Sequence, residues 1–513
     1  MNTQTSGKDT PRLHIAILGS SDFCRKMDSY ITTARLAEKS FSASFSGAWE
    51  LLSSHRPNVI LLEIGTHYSE SVHSWTRHFL SQVRERYGSE IFIITALLSP
   101  AHLGYGGDLL FEDETLHGSS FIDTFIAAPP SNIPSVTPLN AQLQNALSFC
   151  QEELQRRAEG QSALPTLNSN GWAQSLADPR SRELWMVWVP RYAKYTNENP
   201  IIIGETGTGK TNLALALHLL AGRSGKFISI TPRDFSSSEL IQAELFGAVE
   251  GAYTGAVDKW GLVKSAEKGT LFIDELQSID KALQGKLITF IESKVYRRVG
   301  STETTSADVR FVFASNEALF DLMDCDVLRH DFAYRLERVS LELPPLRERR
   351  LDIAAGLAYA IAKIHRQRAH NSRIFGISND AYRLLFSHSW PGNLRQLENS
   401  TAKLCEMADF KGSSIIDAAD VGKVFESKFF GKAVTSSEIL AEAALDLAQR
   451  ALSKPISSLQ DGVSEFTTLV RSHALEATGG DLNLAAEKIA DHAPLMTFVA
   501  SNIIATKESE VKP

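Results

Sequence analysis

The residues with the plainest chemistry sit in the middle of the chain. Gly204-Glu205-Thr206-Gly207-Thr208-Gly209-Lys210-Thr211 reads G-x4-G-K-T, between the apolar run Pro200–Ile203 and the apolar stretch Asn212–Leu220. Glycines in such a loop let backbone N–H groups curl round phosphate oxygens. Lys210 adds a point charge for the β- and γ-phosphates of a nucleoside triphosphate, and Thr211 offers a hydroxyl to Mg²⁺. A strand before the loop and a helix after it separate this reading from a plain glycine-rich turn. A second apolar run, Gly269-Thr270-Leu271-Phe272-Ile273, ends in the carboxylates Asp274 and Glu275. Acids often do no more than cap a strand. With a phosphate loop upstream, Asp274 reads as the Mg²⁺ ligand and Glu275 as the base that polarises an attacking water.

Other candidates follow in order. Val309–Ala314 reads as a third strand, ending at Ser315-Asn316, where the Asn316 amide has access to a γ-phosphate or to the water. Arg329 and Arg335 stand six positions apart in LRHDFAYRL. Surface arginines are usually just solvated. Here their permanent charge and forked geometry suit a finger reaching a phosphate on a neighbouring subunit. Trp390-Pro391-Gly392-Asn393-Leu394-Arg395 opens a helix, and Arg395 could sense the nucleotide from a helical lid. Gly251-Ala252-Tyr253-Thr254-Gly255-Ala256 lies between the phosphate loop and the acidic strand end. Its glycines give flexible shoulders, and Tyr253 and Thr254 give a tip that can stack and hydrogen-bond. It is a candidate for a loop moved by nucleotide chemistry.

These residues need an α/β scaffold. The chain has 513 residues, a soft prior of about three domains. Hydrophobic content of 43 % and charged content of 22 % suit ordinary packed cores. A net charge of −8 gives no chain-wide nucleic-acid surface. The cysteines Cys24, Cys150, Cys325 and Cys405 are scattered, which argues against a disulfide framework or zinc site and fits a reducing cytosol. There is no signal-peptide pattern and no apolar run of the roughly 20 residues a membrane span needs, so a cytoplasmic protein with no membrane partner is expected.

The central segment resembles the AAA+ domain of bacterial enhancer-binding proteins, the activators of sigma-54 RNA polymerase. The strings are GETGTGK, ELFG (Glu244–Gly247), GAYTGA, GTLFIDE, RRVG (Arg297–Gly300), LPPLRER (Leu343–Arg349) and WPGNLRQLEN, in family order. The resemblance implies a homo-oligomer, from dimer to hexameric ring, with ATP and Mg²⁺ between subunits. It implies Gly204–Thr211 on the nucleotide, Asp274 and Glu275 in hydrolysis, Asn316 in the first sensor, Arg329 and Arg335 as fingers and Arg395 as second sensor. Gly251–Ala256 corresponds to the loop that engages sigma-54. Tyr253 replaces the usual Phe. Thr211 replaces the usual Glu after the lysine, in better agreement with the general phosphate-loop rule. Thr231 stands where the family usually has an Asn that holds the catalytic glutamate in an inactive pose, which questions the coupling between hydrolysis and partner binding.

The ends are less regular. Residues 11–150 carry apolar runs at Leu13–Leu18, Val59–Ile64, Ile91–Leu98 and Phe125–Ala128, alternating with helix-like spacing. That predicts a doubly wound parallel sheet resembling a response-regulator receiver. Glu63 stands at the phosphoacceptor position, Asp22 is the one acid near the first strand end, Ala128 stands near the lysine position and Thr95 alone fits. The expected role is docking or dimerisation, not phosphorylation. A linker is expected over 151–182 and the AAA+ domain with its helical lid over 183–425. An all-α segment over 460–505 resembles a Fis-type helix-turn-helix. Its second helix, Pro494–Ile504, has no Lys or Arg. Two readings stay open there: binding of enhancer DNA, or a dimerising tail. For the whole chain the first reading is a sigma-54-dependent activator that hydrolyses ATP. The alternative is a nucleotide-binding AAA+ regulator or co-activator controlling a partner, with weak or no DNA binding of its own.

Overall fold

The apolar runs of the first domain become strands β1 (His14–Leu18), β3 (Val59–Ile64), β4 (Phe92–Leu97) and β7 (Thr124–Ala127), in a computed structural model of the chain. It describes residues 12–65, 68–88, 90–110, 112–113, 119–130, 138–158, 178–253, 255–367 and 374–426. The helix-turn-helix expected over 460–505 lies outside the described residues, as does Thr254. Strands β3 and β4 are buried at every residue, which is why they read as unbroken apolar runs. A fifth strand, β2 (Lys39–Ala43), has no apolar run because it lies at the sheet edge, half exposed. The parallel order is β2-β1-β3-β4-β7. Around it lie α1 (Ser21–Thr33), α2 (Ala48–His55), α3 (Glu70–Tyr87), α4 (Leu103–Leu110) and α5 (Leu139–Ala158); β5 (Glu112–Asp113) and β6 (Ser119–Ser120) form a small hairpin.

The second sheet is also parallel, in the order β16-β8-β15-β12-β9. The chain enters it through α6 (Pro179–Glu183), a π-helical turn at Leu184–Trp188 and α7 (Val189–Ala193). Then follow β8 (Ile201–Ile203), α8 (Lys210–Leu220), β9 (Phe227–Ile230) and α9 (Ser238–Phe246). After the short hairpin β10 (Gly247–Ala248) and β11 (Lys259–Trp260) come α10 (Leu262–Ser265), β12 (Thr270–Ile273) and α11 (Lys281–Ser293). A second hairpin, β13 (Val295–Arg297) and β14 (Thr304–Ser306), leads to β15 (Arg310–Ser315), α12 (Leu319–Asp324), α13 (His330–Glu337) and β16 (Ser340–Glu342). The lid is α14 (Asp352–Gln367), β17 (Gly376–Ile377), α15 (Asn379–Ser387), α16 (Asn393–Lys411), β18 (Ile415–Ile416) and α17 (Ala418–Glu426). Among the described residues no helix is long and apolar enough to cross a membrane.

The N-terminal domain docks on the lid. Helix α14 is buried without a break from Asp352 to Ala362, because α4 covers one flank and α16 another. Leu103 and Leu109 of α4 share one core with Leu357, Ile361, Ile374 and Trp390. A fully buried Leu or Ile contributes about 1.5–3 kcal/mol, so this contact is substantial. The Gly104 amide donates to the Phe375 carbonyl at 2.7 Å, and Tyr105 stacks on Phe375 with centroids 5.0 Å apart. A Cβ at Gly107 would stand 2.0 Å from the Ala358 carbonyl oxygen, so the helix approach depends on glycine there.

Candidate active site

Strand β8 runs between β15 and β16 and delivers the phosphate loop at its C-terminal end, where ligands of parallel sheets bind. The Gly204 amide donates to the Ser315 carbonyl at 3.1 Å, which fixes the start of the loop. Gly207 has φ +80° and lies against the lid: a Cβ there would be 2.4 Å from the Gly392 oxygen. Gly209, at φ +108°, caps α8, whose first turn carries Lys210 and the exposed Thr211. The Lys210 ammonium donates to the carbonyls of Gly204 at 2.8 Å and Glu205 at 3.3 Å. Burial pulls its pKa down, while the carboxylates of Asp274 and Glu275 oppose that shift and Arg395 adds to it. Lys210, Asp274, Glu275 and Arg395 therefore share one electrostatic neighbourhood.

Asp274 closes β12, its amide donating to Ile230 of β9 at 3.0 Å. Its Oδ1 accepts the Glu275 amide at 2.9 Å. Glu275 itself is turned into the left-handed region, φ +54°, and its carbonyl accepts from the Ser278 amide and hydroxyl. Asn316, exposed just past β15, lines a cleft of about 700 Å³ together with Gly204, Glu205, Trp188, Tyr192 and Pro345, within the size range of nucleotide-sized ligand pockets. The Ser315 hydroxyl is turned inward and donates to the Glu317 carbonyl at 2.8 Å.

The lid grips the loop through residues to which the sequence reading gave no role. Asn393, fully buried with φ +51°, donates to the Thr206 carbonyl at 3.1 Å and to Glu205 at 3.2 Å, and accepts the Leu346 amide at 2.7 Å. The Leu394 amide donates to Gly207 at 3.0 Å. Arg347 makes a two-pronged pair with Glu205, at 2.6 and 2.9 Å, which holds that carboxyl below its usual range. Buried Arg349 donates to the Thr208 carbonyl at 2.7 Å. Their signal was present in the strings LPPLRER and WPGNLRQLEN, but single-letter patterns do not say what each side chain touches.

Arg329 and Arg335 are not at this site. The Arg329 fork lies on Asp331 at 2.7 and 3.1 Å, and Arg335 pairs with Glu292 of α11. Gly251–Ala256 is carried between β10 and β11, with Gly251 and Gly255 at φ +80° and +83° and turns closed by Ala252–Val249 and Ala256–Tyr253 amide–carbonyl bonds. Its root is strapped to the second hairpin: Val299 donates to Gly247 and Val249 donates to Val299. In the first domain, Glu63 is buried and accepts the Ser20 amide at 2.6 Å, while Asp22 faces outward to Lys26. Thr95 is buried on β4 and donates weakly to the Thr124 carbonyl at 3.5 Å.

The entry helix α6 is tied to the lid by a buried acid. Asp352 accepts the Asp178 amide at 3.2 Å and the Ser181 hydroxyl. Burial pushes its carboxyl up to about 7, against the opposing charge of Arg349. The folded state then holds this proton more tightly than the unfolded chain, so the group costs stability as pH rises from about 4 to about 7 and adds no further slope above that. Asp352→Asn is expected to unfold at a denaturant midpoint less dependent on pH than wild type between pH 5 and 8; equal slopes in the two proteins would refute the assignment.

Comparison with known proteins follows the same division. The family model for the Sigma-54 interaction domain matches residues 185–342, and the AAA+ ATPase lid domain matches 347–434. The alginate biosynthesis transcriptional regulatory protein AlgB of Pseudomonas aeruginosa is 32 % identical over 330 residues, covering 62 % of this chain and 70 % of that protein. AlgB of Pseudomonas putida is 40 % identical over 210 residues, 41 % of this chain and 46 % of that protein. The Nif-specific regulatory protein of Azotobacter vinelandii is 36 % identical over 223 residues, 43 % and 42 %. The chain thus spans about half the length of several curated relatives it matches. NtrX from Brucella abortus in complex with ADP aligns with a TM-score of 0.47 at 20 % identity, over 95 % of this chain and 99 % of that one.

Proposed function

Since this chain belongs to the bacterial enhancer-binding proteins, the family of sigma-54-dependent transcriptional regulators, we propose that it hydrolyses ATP to remodel sigma-54 RNA polymerase. The observation that carries this reading is the convergence of Lys210, Asp274, Glu275 and Arg395 on one phosphate loop at the end of β8. Loop N–H groups, Lys210 and the N-terminus of α8 bind the phosphates. The exposed Thr211 hydroxyl and the Asp274 carboxylate, whose Oδ1 takes the Glu275 amide, fit a Mg²⁺ ion. That ion would supply neutralisation of the phosphate charge. Glu275 takes a proton from the attacking water, and Asn316 orients that water or the γ-phosphate. Arg395 senses the γ-phosphate from the lid, and Arg329 and Arg335 leave their acids to serve the site of a neighbouring copy in a homo-oligomer.

Gly251–Ala256 delivers the work. Helix α9 joins the end of β9, beside Asp274, to β10 at the root of the loop, so a shift at the nucleotide is carried to Tyr253 by a rigid element. The N-terminal domain acts by its docking on the lid; the Glu63 carboxylate, taken up by the Ser20 amide, supports a role without phosphotransfer. Tyr253→Ala is expected to keep ATP turnover within about twofold, since among the described residues no hydrogen bond joins Tyr253 to the phosphate loop, and to lose transcription from a sigma-54 promoter in vitro. A variant that still activates transcription would overturn the loop assignment and leave a nucleotide-binding regulator of another partner.

A further inference from the structure

Resting on the reading of Gly251–Ala256 as the loop that meets sigma-54, we propose that Trp260, on the stem of that loop, is a second contact for the same protein partner and takes one of its apolar surfaces. Trp260 stands on β11, opposite Gly247 of β10. Neighbours along a strand point to opposite faces. Lys259 turns towards α9, where its ammonium meets Glu244 at 2.7 Å, so the indole is sent to the other face. It has no room to fold in under the stem. A Cβ at Gly247 would stand 2.5 Å from the Lys259 oxygen, and one at Gly261 would stand 2.3 Å from the Leu245 oxygen. Trp260 is left 53 % exposed, and Val257, the first residue past the loop, is 66 % exposed.

Single apolar residues are common on protein surfaces and need no ligand. Three observations set this one apart. First, the ring is held. The Arg298 guanidinium lies over it, 4.4 Å from the ring centroid, and is itself fixed by Asp258 at 2.8 Å. The Arg298 side chain is only 16 % exposed, so one face of the indole covers it and the rest of the ring is presented outward. A ring fixed before binding loses little conformational freedom on binding, which suits it to be an interface anchor. Second, the ring and the loop share one support. Arg298 belongs to the turn between β13 and β14, and the next residue, Val299, accepts the Val249 amide at 3.0 Å and donates to Gly247 at 2.9 Å. Gly300 lies against the loop itself, since a Cβ there would stand 2.7 Å from the Ala252 Cβ. A partner seated on the loop therefore meets the stem in a fixed relation to it. Third, the charges disfavour nucleic acid. Residues 247–260 carry Glu250 and Asp258 against Lys259 alone. Lys259 and Arg298 are both paired with acids, whereas a phosphate backbone needs cations to neutralise it. An aromatic ring and an exposed valine on an electrically balanced stem fit an apolar protein surface.

The test uses the full-length chain, purified sigma-54 and ADP with aluminium fluoride, a mimic of the hydrolysis transition state. Trp260→Ala is expected to weaken the trapped complex by about 10- to 100-fold, the loss typical of an interface anchor. Trp260→Phe, which keeps an aromatic ring, should recover most of that affinity. Binding of a fluorescent ATP analogue reports whether each variant is folded. Photo-crosslinking separates contact from support: p-benzoylphenylalanine placed at position 260 should form its adduct with sigma-54 in the trapped state. An adduct with a second copy of this chain, or with promoter DNA added to the mixture, overturns the proposal. So does wild-type trapping by Trp260→Ala while Tyr253→Ala fails to trap, and in that case the loop reading stands. Wild-type trapping by Tyr253→Ala overturns the loop reading itself. If Trp260→Ala does not bind the analogue, Trp260→Gln, which keeps bulk and removes the ring, takes its place with the same expected loss.

Discussion

Glu275→Gln should bind ATP with wild-type affinity and lose turnover by a factor of about 10² to 10⁴, the span a positioned general base contributes. Glutamine keeps the size of the side chain and cannot accept the proton of the attacking water. The fold around it should survive, because the structural ties at this position are main-chain: the Glu275 amide to Asp274 and the Glu275 carbonyl to Ser278. Lys210→Ala should fail one step earlier. It removes the half-buried ammonium that sits on the Gly204 and Glu205 carbonyls and faces Asp274 and Glu275, and with it the cation nearest to where the β- and γ-phosphates are expected. Equilibrium binding of a fluorescent ATP analogue, followed by single-turnover hydrolysis, separates the two variants. Turnover in Glu275→Gln within tenfold of wild type would remove Glu275 from the chemistry.

Arg310→Ala should be the most destabilising of the single changes considered. Arg310 is a fully buried cation on β15, and the sequence shows it only as one letter in VRFVFA. Its guanidinium donates to the carbonyls of Tyr192 at 2.7 Å, Glu198 at 3.1 Å, Tyr195 at 3.2 Å and Ala193 at 3.4 Å. These carbonyls lie at and beyond the C-terminal end of α7, where a cation also meets the negative end of the helix. Burial lowers the Arg310 pKa only to about 10, so it stays charged at neutral pH. Alanine removes all four charge-assisted bonds and empties a buried site; the Tyr192 and Tyr195 carbonyls keep backbone donors, and the loss costs about 3–5 kcal/mol. For a domain of this size that lowers the melting temperature by on the order of 10 °C, measurable by the fluorescence of nearby Trp185 and Trp188. Lysine keeps the charge without the fork and should fall between.

The main elements of the site could be read before any coordinates. Gly207 and Gly209 at positive φ, the strand ending in Asp274-Glu275 and the helix opening at Asn393-Leu394-Arg395 all have local causes: glycine tolerance, an apolar run, a turn with a helix behind it. The apolar β3 and β4 were legible for the same reason. The edge strand β2 was not, since half its surface faces water and no run of apolar letters marks it. Nor were the partners of Arg347, Arg349 and Asn393, which reach the phosphate loop across more than 130 positions of chain.

By itself, then, the sequence marked the residues proposed for phosphate chemistry and the short segments that hold them, because those depend on residue type and near neighbours. Tertiary structure decided what each charge faces. It turned Arg329 and Arg335 away from their own nucleotide residues, buried Glu63 on the Ser20 amide, and laid α4 on the lid through Gly104 and Gly107. It also set Arg233 beside Glu275, a contact across 42 positions. Charge and close packing act through space over a few ångströms, and no local pattern records which distant residues the fold will bring within that range.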